Sequence, residues 1–217
     1  MQLRTILNHV ERHKSFVYQQ PRWADPLTKT AIEIQIEPRA NGRAICSGCS
    51  QVAPGYDRQP ERQFEFVPLW QIAVYFVYAL RRVDCPRCGV KVEKVPWCDG
   101  KNQLTTTYRW FLAGWSRRLS WKEVAVTFGT TWQNVFRSVK DAVSWGLAHR
   151  YLGGIESIGI DEVQWQKGHK YLMLVYQIDE GRKRLLWIGR DRTTKTLLRF
   201  FRMLGKERSS KLRFICS

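Results

Sequence analysis

Acidic side chains are scarce in this sequence. The 19 Asp and Glu stand against 36 Lys and Arg, a formal net charge of +17 over 217 residues. That imbalance points to a polyanionic partner, because neutralising phosphates releases their counterions and drives association. The alternative is a basic protein that merely stays soluble. Long hydrophobic runs are missing as well. The longest nearly apolar stretch, "LWQIAVYFVYAL" at residues 69–80, is too short to cross a bilayer. The start, "MQLRTILNHVERHKSF", has neither an unbroken apolar core nor a small-residue cleavage site, so it does not read as a secretory signal. The expectation is an intracellular, cytoplasmic protein with no membrane partner. No internal repeat or low-complexity tract is visible, which excludes repeat arrays and biased tails.

What is present suffices for a core. Apolar residues make up 44% of the chain and include 10 Trp, 10 Phe and 8 Tyr, which argues against wholesale disorder. The length suits two small domains, or one domain with a compact appendage. Leu3, Ile6, Leu7 and Val10 recur at helical spacing. "AIEIQIEP" alternates Ile32, Ile34 and Ile36 with polar residues and stops at Pro38, the pattern of a half-buried strand. "FEFVPLW" alternates again, and residues 71–83, rich in β-branched and aromatic side chains, also read as strand. Pro96 and "DGKN" at residues 99–102 mark a boundary near residue 104. Helical signals follow. "SWKE" at residues 120–123 and "TTWQ" at 130–133 each fit a capping box. From residue 155 the period changes to strands at 155–163, 171–178 and 185–189. A helix at 193–204 and a last strand at 212–216 complete the order. The fold class predicted is α+β and multidomain: a small zinc-binding, β-rich domain at 1–104, a helix-turn-helix at 105–150 and a partial ribonuclease H-like domain at 151–217.

Three constellations carry chemistry. Cys46-Ser-Gly-Cys49 and Cys85-Pro-Arg-Cys88-Gly89 form a pair of C-x-x-C knuckles. Two intervening residues let both thiolates of a knuckle reach one ion, with Gly48 and Gly89 relaxing the turns. Four thiolates are what structural Zn2+ takes, and in a reducing compartment such pairs serve as ligands more readily than as disulfides. The alternatives are buried, reduced cysteines or a redox pair. Cys98 is a further thiol in the same region, and Cys216, on the last strand, is expected to pack in a core. In the second constellation, Phe128, Gly129 and Thr130 are the turn of the helix-turn-helix, and a recognition helix starts near Thr131. Gln133 and Asn134 could bond base edges, Arg137 could reach guanine or phosphate, and Arg117 and Arg118 could grip the backbone. A helical hairpin that simply packs through Val124 and Val135 is the alternative. Third, "ESIGIDEVQW" climbs through Ile158 and Ile160 and ends, as a strand, at Asp161 and Glu162. The order β-β-β-α-β is the opening of a ribonuclease H-like domain, in which Asp161 would hold divalent ions for phosphoryl transfer. A solvated strand end is the alternative. His169 reads as a turn or strand-edge residue.

The stretches "PRANGRAICSGCS", "PGYDRQPERQFEFVPL", "RRVDCPRCGVKVEKVPW", "SIGIDEVQWQKGHKY" and "WIGRDRTTKTLLRFF" together resemble the ISL-three family of insertion-sequence transposases. The resemblance implies a zinc-binding N-terminal region, a helix-turn-helix, and a DDE catalytic domain that cuts and joins transposon ends with Mg2+. It implies Cys46, Cys49, Cys85 and Cys88 as zinc ligands and Asp161 as the first catalytic aspartate, with Glu162 beside it. In the family pattern a second aspartate follows the fourth strand at once and a third acidic residue comes later; "LRFICS" closes this sequence where the second is expected. Glu180, Asp191 and Glu207 fall in turns or on the helix and do not replace them. The expectation is therefore the N-terminal portion of a transposase, inactive alone, with one sheet edge left open to pairing. Its partners would be double-stranded DNA of insertion-sequence ends, a second copy of the chain, or the full-length transposase. The alternatives are a truncated DNA-binding product that inhibits transposition, and a decayed remnant.

Overall fold

In a computed structural model, which describes residues 2–217, the chain divides into two compact units, Met1–Ala148 and His149–Ser217. The first opens with the amphipathic helix α1, Leu3–Val10, which buries Leu7. Short strands β1, Phe16–Tyr18, and β2, Arg22–Trp23, both pair antiparallel with β3, Ala31–Pro38. The isoleucine alternation of β3 is realised with Ile34 and Ile36 fully buried. A long hairpin, β4 (Gly55–Leu69) and β5 (Ile72–Cys85), packs beside it, and β6, Gly89–Val92, pairs with the end of β5. The main strand order is β1-β3-β5-β4, with β3 parallel to β5. The apolar stretch at 69–80 is thus not one element. Its first residues turn the hairpin, with Trp70 and Gln71 in the left-handed region (φ 48° and 68°), as a two-residue turn matched to strand twist requires.

Trp97 is the hub of the core in this unit. Phe16 and Tyr78 meet its ring edge-on at 4.9 and 5.3 Å between centroids, the geometry favoured by the ring quadrupole. Next to it lies a buried ion pair. Glu93, 4% exposed, accepts hydrogen bonds from Tyr78 Oη (2.6 Å), Arg81 N (2.8 Å), Arg81 Nε (3.0 Å) and Arg81 Nη2 (2.7 Å).

The helical part of the first unit packs on β4. Helix α2, Thr106–Trp115, is capped by Thr105, whose hydroxyl accepts from Tyr108 N. Helix α3, Trp121–Thr127, starts at the full capping box of Ser120 and Glu123. After a turn at Gly129 (φ 64°) comes α4, Trp132–Ala148. Its cap falls on Thr131, whose hydroxyl accepts from Asn134 N at 3.3 Å. The box expected over Thr130 and Gln133 is not formed: the cap is a single bond one residue later, and the Thr130 hydroxyl instead takes the Asn134 side-chain amide at 3.1 Å. Leu104, Tyr108, Leu112, Val124 and Val135 form the shared core.

The second unit is a four-stranded sheet in the order β10-β7-β8-β9. Strands β7 (Ser157–Gln166), β8 (Lys170–Asp179) and β9 (Arg182–Arg190) form an antiparallel meander. Helix α5, Thr194–Leu204, buries Thr196, Phe200 and Leu204 at i, i+4 and i+8 against Ile158, Val175 and Leu186. One helical turn, α6 (Lys206–Ser209), then leads to β10, Phe214–Cys216, which pairs parallel with β7. Two expectations are corrected here. The strand does not end at Asp161 but continues to Gln166, since pairing with β8 satisfies the backbone of its polar half. Cys216 is exposed rather than packed, because β10 is an edge strand. Among the described residues no helix is long and apolar enough to cross a membrane.

Replacing Glu93 by Ala leaves the Arg81 guanidinium buried without its partner, which costs about 3 kcal/mol or more. In urea unfolding, the transition of the first unit should shift down by that amount while the second unit's stays put. A loss below about 1 kcal/mol would count against the pair as a structural pin.

Candidate metal centre and nucleic-acid surface

The two cysteine knuckles arise from different local geometries. In the first, Cys46 N donates to Gln51 O at 2.8 Å and Ser50 N to Cys46 O at 2.9 Å, with Ser50 in the left-handed region (φ 58°). In the second, Cys85 closes β5, Cys88 N donates to Cys85 O at 3.2 Å, and Gly89 (φ 67°) reverses the chain into β6. Gly48 serves a different need from the flexibility the sequence suggested. A Cβ there would come within 3.1 Å of Cys88 Sγ, so the position is kept open by crowding between the knuckles. Two backbone hydrogen bonds, Ser47 N to Val92 O and Lys94 N to Ile45 O, hold the first knuckle to the strand beyond the second and form the antiparallel bridge between Cys46 and Glu93.

The four sulfurs converge. The Sγ atoms of Cys46, Cys49, Cys85 and Cys88 all lie within 4.8 Å of one another, and Cys49 and Cys85 Sγ are 3.6 Å apart. A tetrahedron of thiolates bound at about 2.3 Å has edges of about 3.8 Å, so the spacing fits one thiophilic ion. The thiols also divide electrostatically. Amide donation from Arg87 and Cys88 lowers the Cys85 thiol to about 7, and its Cys49 and Cys46 neighbours add to this. Contact with the Cys49 sulfur, followed by desolvation, pushes the Cys88 thiol up to about 12. Four sulfurs this close become thiolates together only around a cation, and the four-cysteine cluster fits a zinc-binding domain. Ala44, Ala53 and Val83 form its buried backing. Cys98 stands apart, donating to Asn102 O at 3.0 Å.

Asp161 is exposed in the middle of β7, opposite Leu174 of β8, and its Oδ1 accepts from Glu162 N at 2.7 Å. On the other side of β7, Cys216 of β10 pairs with Gly159. Because the strand period is two, Ile158, Ile160 and Glu162 share one face and Asp161 takes the other. Glu162 lies 3.9 Å from Arg192 Nη1. Among the described residues, the four cysteines form the one group of three or more metal-ligating side chains that converge.

The basic and amide residues singled out in the helical segment fall into two places. Arg117 lines a cavity of about 400 Å³ between α2 and α4, with Trp110, Val139 and Val143. Asn134 and Arg137 line a smaller cavity on the other side of the helix seam. Arg118, Gln133 and Arg137 are exposed, whereas Asn134 is half-buried, with its amide bonded to Thr130. Sequence reasoning missed Arg109 on α2, which lines the smaller cavity and pairs with Asp141 Oδ2 at 3.4 Å. The lone basic residue in "TTYRWFLAGW" was its one trace in the sequence.

Known proteins with similar sequences are transposases. The model of a transposase family, the ISL-three type of DDE transposase, matches residues 158–217. The transposase for insertion sequence element IS1557 of Mycobacterium tuberculosis, in the CDC 1551 / Oshkosh and H37Rv strains, is 26% identical over 190 residues, covering 82% of this chain and 40% of the relative. The transposase for insertion sequence element IS1001 of Bordetella parapertussis is 21% identical over 213 residues, 98% of this chain and 52% of the relative. Residues 158–217 thus match the ISL-three transposase family, and most of the chain is similar to insertion-sequence transposases. It spans about half or less of the length of these curated relatives. No solved structure matches it.

Metal analysis of the purified chain should find about one thiophilic divalent ion, as four thiolates require. Cys49→Ser and Cys88→Ser should each lose the ion and lower the melting temperature of the first unit, whereas Cys98→Ser should retain it. Melting unchanged by a chelator would refute a structural role.

Proposed function

We propose that this chain is the DNA-recognising part of a DDE transposase, carrying the first residue of its catalytic site. In this reading residues 1–104 form a domain stabilised by Zn2+ at Cys46, Cys49, Cys85 and Cys88, and residues 105–150 bind duplex DNA at insertion-sequence ends as a helix-turn-helix. Residues 151–217 open the ribonuclease H-like domain. The observation that carries the reading is the position of Asp161. It stands exposed on β7, between β8 and the parallel strand β10, in the segment matched by the transposase family.

A pair of Mg2+ ions would supply activation of the attacking oxygen and stabilisation of the leaving one in phosphoryl transfer. The residues of this chain do not complete such a site. Asp161 offers one carboxylate, and Glu162 points to the opposite sheet face, toward Arg192. The work proposed for the residues described is recognition. Its excess of 36 basic over 19 acidic residues supplies the long-range attraction, and the exposed side chains of Gln133 and Arg137 on α4 supply groups that can read bases or hold phosphates. That division also favours a second reading, a binding protein that occupies insertion-sequence ends without cutting them.

The test is binding and nicking of a duplex carrying the element's ends, with Mg2+ present. The chain should bind, with affinity falling steeply as salt rises, and Arg137→Gln should weaken binding by about 1 kcal/mol, roughly five-fold. No nicking is expected from this chain by itself. Nicking abolished by Asp161→Asn would assign it retained catalysis, and absence of binding would overturn the recognition role.

A further inference from the structure

We propose that the cavity between the 101–104 segment, α2 and α4 is a seat for one phosphate of a DNA backbone. The inference rests on the reading of the helical segment as DNA-binding and adds to it a contact from outside the helices. The cavity measures about 130 Å³ and is lined by Lys101, Gln103, Arg109, Asn134, Arg137 and Asp141, among others. Pockets for whole small molecules start at about 300 Å³. This one suits a compact anion, with three cations facing one carboxylate.

Arg109 supplies the strongest argument. Its side chain is only 15% exposed, and its contact with Asp141 engages Nη2 at 3.4 Å, long for a charge-assisted bond. Its Nε is buried and has no hydrogen-bond partner. A guanidinium held in place with a desolvated donor idle is set up for an acceptor with several oxygens, and the fork geometry of arginine matches phosphate. The opposite wall is also preorganised. Glu65 N donates to Gln103 O at 2.7 Å and Thr105 N to Glu65 O at 2.8 Å, which fixes the 101–104 segment along β4 and holds the backbone that carries Lys101. Arg137 joins the cavity to the exposed face of α4 that also carries Gln133 and Lys140 at helical spacing. A DNA strand crossing that face could place one phosphate between Lys101 and Arg109, so the β-rich region and the helices would grip the same backbone. Asp141 then acts as the internal stand-in that keeps Arg109 compensated until DNA arrives.

The experiment uses the full, metal-loaded chain and a mixed-sequence duplex, with affinity followed by fluorescence anisotropy across a salt series. Lys101→Gln and Arg109→Gln should each reduce the slope of log K against log salt by about one, the signature of one lost phosphate contact. Asp141→Asn should bind several-fold more tightly, an effect that a merely structural Arg109–Asp141 pair would not produce. Lys101 is exposed, so its variant carries the test even where Arg109→Gln misfolds. Unchanged slopes in a chain that binds DNA would overturn the phosphate seat alone. No binding by the unmodified chain would overturn the recognition reading beneath it. If inorganic phosphate raises the melting temperature of the unmodified chain but not of Lys101→Gln, while the DNA slopes stay equal, the cavity takes free phosphate and the DNA assignment fails.

Discussion

Glu93 connects three stretches of chain that local sequence preferences would leave independent. Its backbone bridges Cys46 and donates to Arg81 O, and its carboxylate takes Tyr78 and Arg81. Arg81 in turn donates from Nη1 to Gly42 O at 3.0 Å, just ahead of the first knuckle. The convergence of the cysteines depends on this junction, since each knuckle belongs to a different segment. A carboxylate can be buried there because every strong donor around it is used; with one missing, the same charge would be a liability. The residues that follow alternate inward, with Glu93, Val95 and Trp97 all buried. One short extended segment thus joins the sulfur cluster to the aromatic core, and a bound ion would lock a junction that already exists.

What could be read from the sequence was local. The isoleucine alternation of β3, the Ser120–Glu123 capping box, the span of α5 and the spacing within each C-x-x-C knuckle all depend on residues within a few positions of one another. What could not be read depends on partners far along the chain. The β4–β5 turn uses Trp70 and Gln71 at positive φ where a sequence reader looks for Asn or Gly; the hairpin is held by its fifteen- and fourteen-residue strands, not by its turn. Strand β7 runs past Asp161 because β8 lies beside it, although Glu162, Gln164 and Gln166 carry no burial signal of their own. Arg109 and Asp141 sit on separate helices, and nothing local reveals that their side chains meet.

The same logic separates the two neighbouring carboxylates of the second unit. In a strand, consecutive side chains project to opposite faces, so Asp161 and Glu162 cannot share a ligand field. Ile158 and Ile160 pack on the α5 side, which commits Glu162 to that face and to Arg192. Asp161 shares its face with Gly159, where a Cβ would meet Ile178 Cγ2 at 3.3 Å. Asp161 forms no ion pair among the described residues, whereas Glu162 has the Arg192 guanidinium 3.9 Å away.

Charge compensation within the chain does not reduce its basic excess. Several acidic groups are held by internal cations: Glu33 by Arg22, Asp57 by Arg82, Glu93 by Arg81, Asp141 by Arg109, Glu156 by Arg213 and Glu207 by Lys211. Each such pair removes one positive and one negative charge from the balance, so pairing leaves the formal +17 untouched. No rearrangement of the chain's own side chains can neutralise it. The folded state therefore carries a self-repulsion that a bound polyanion would relieve, and on the proposed reading DNA binding and folding stability would be linked through the same charges. Salt weakens both the repulsion and the attraction. For this chain, low ionic strength should make the free protein less stable and any complex with a polyanion tighter, a coupling that follows from composition alone.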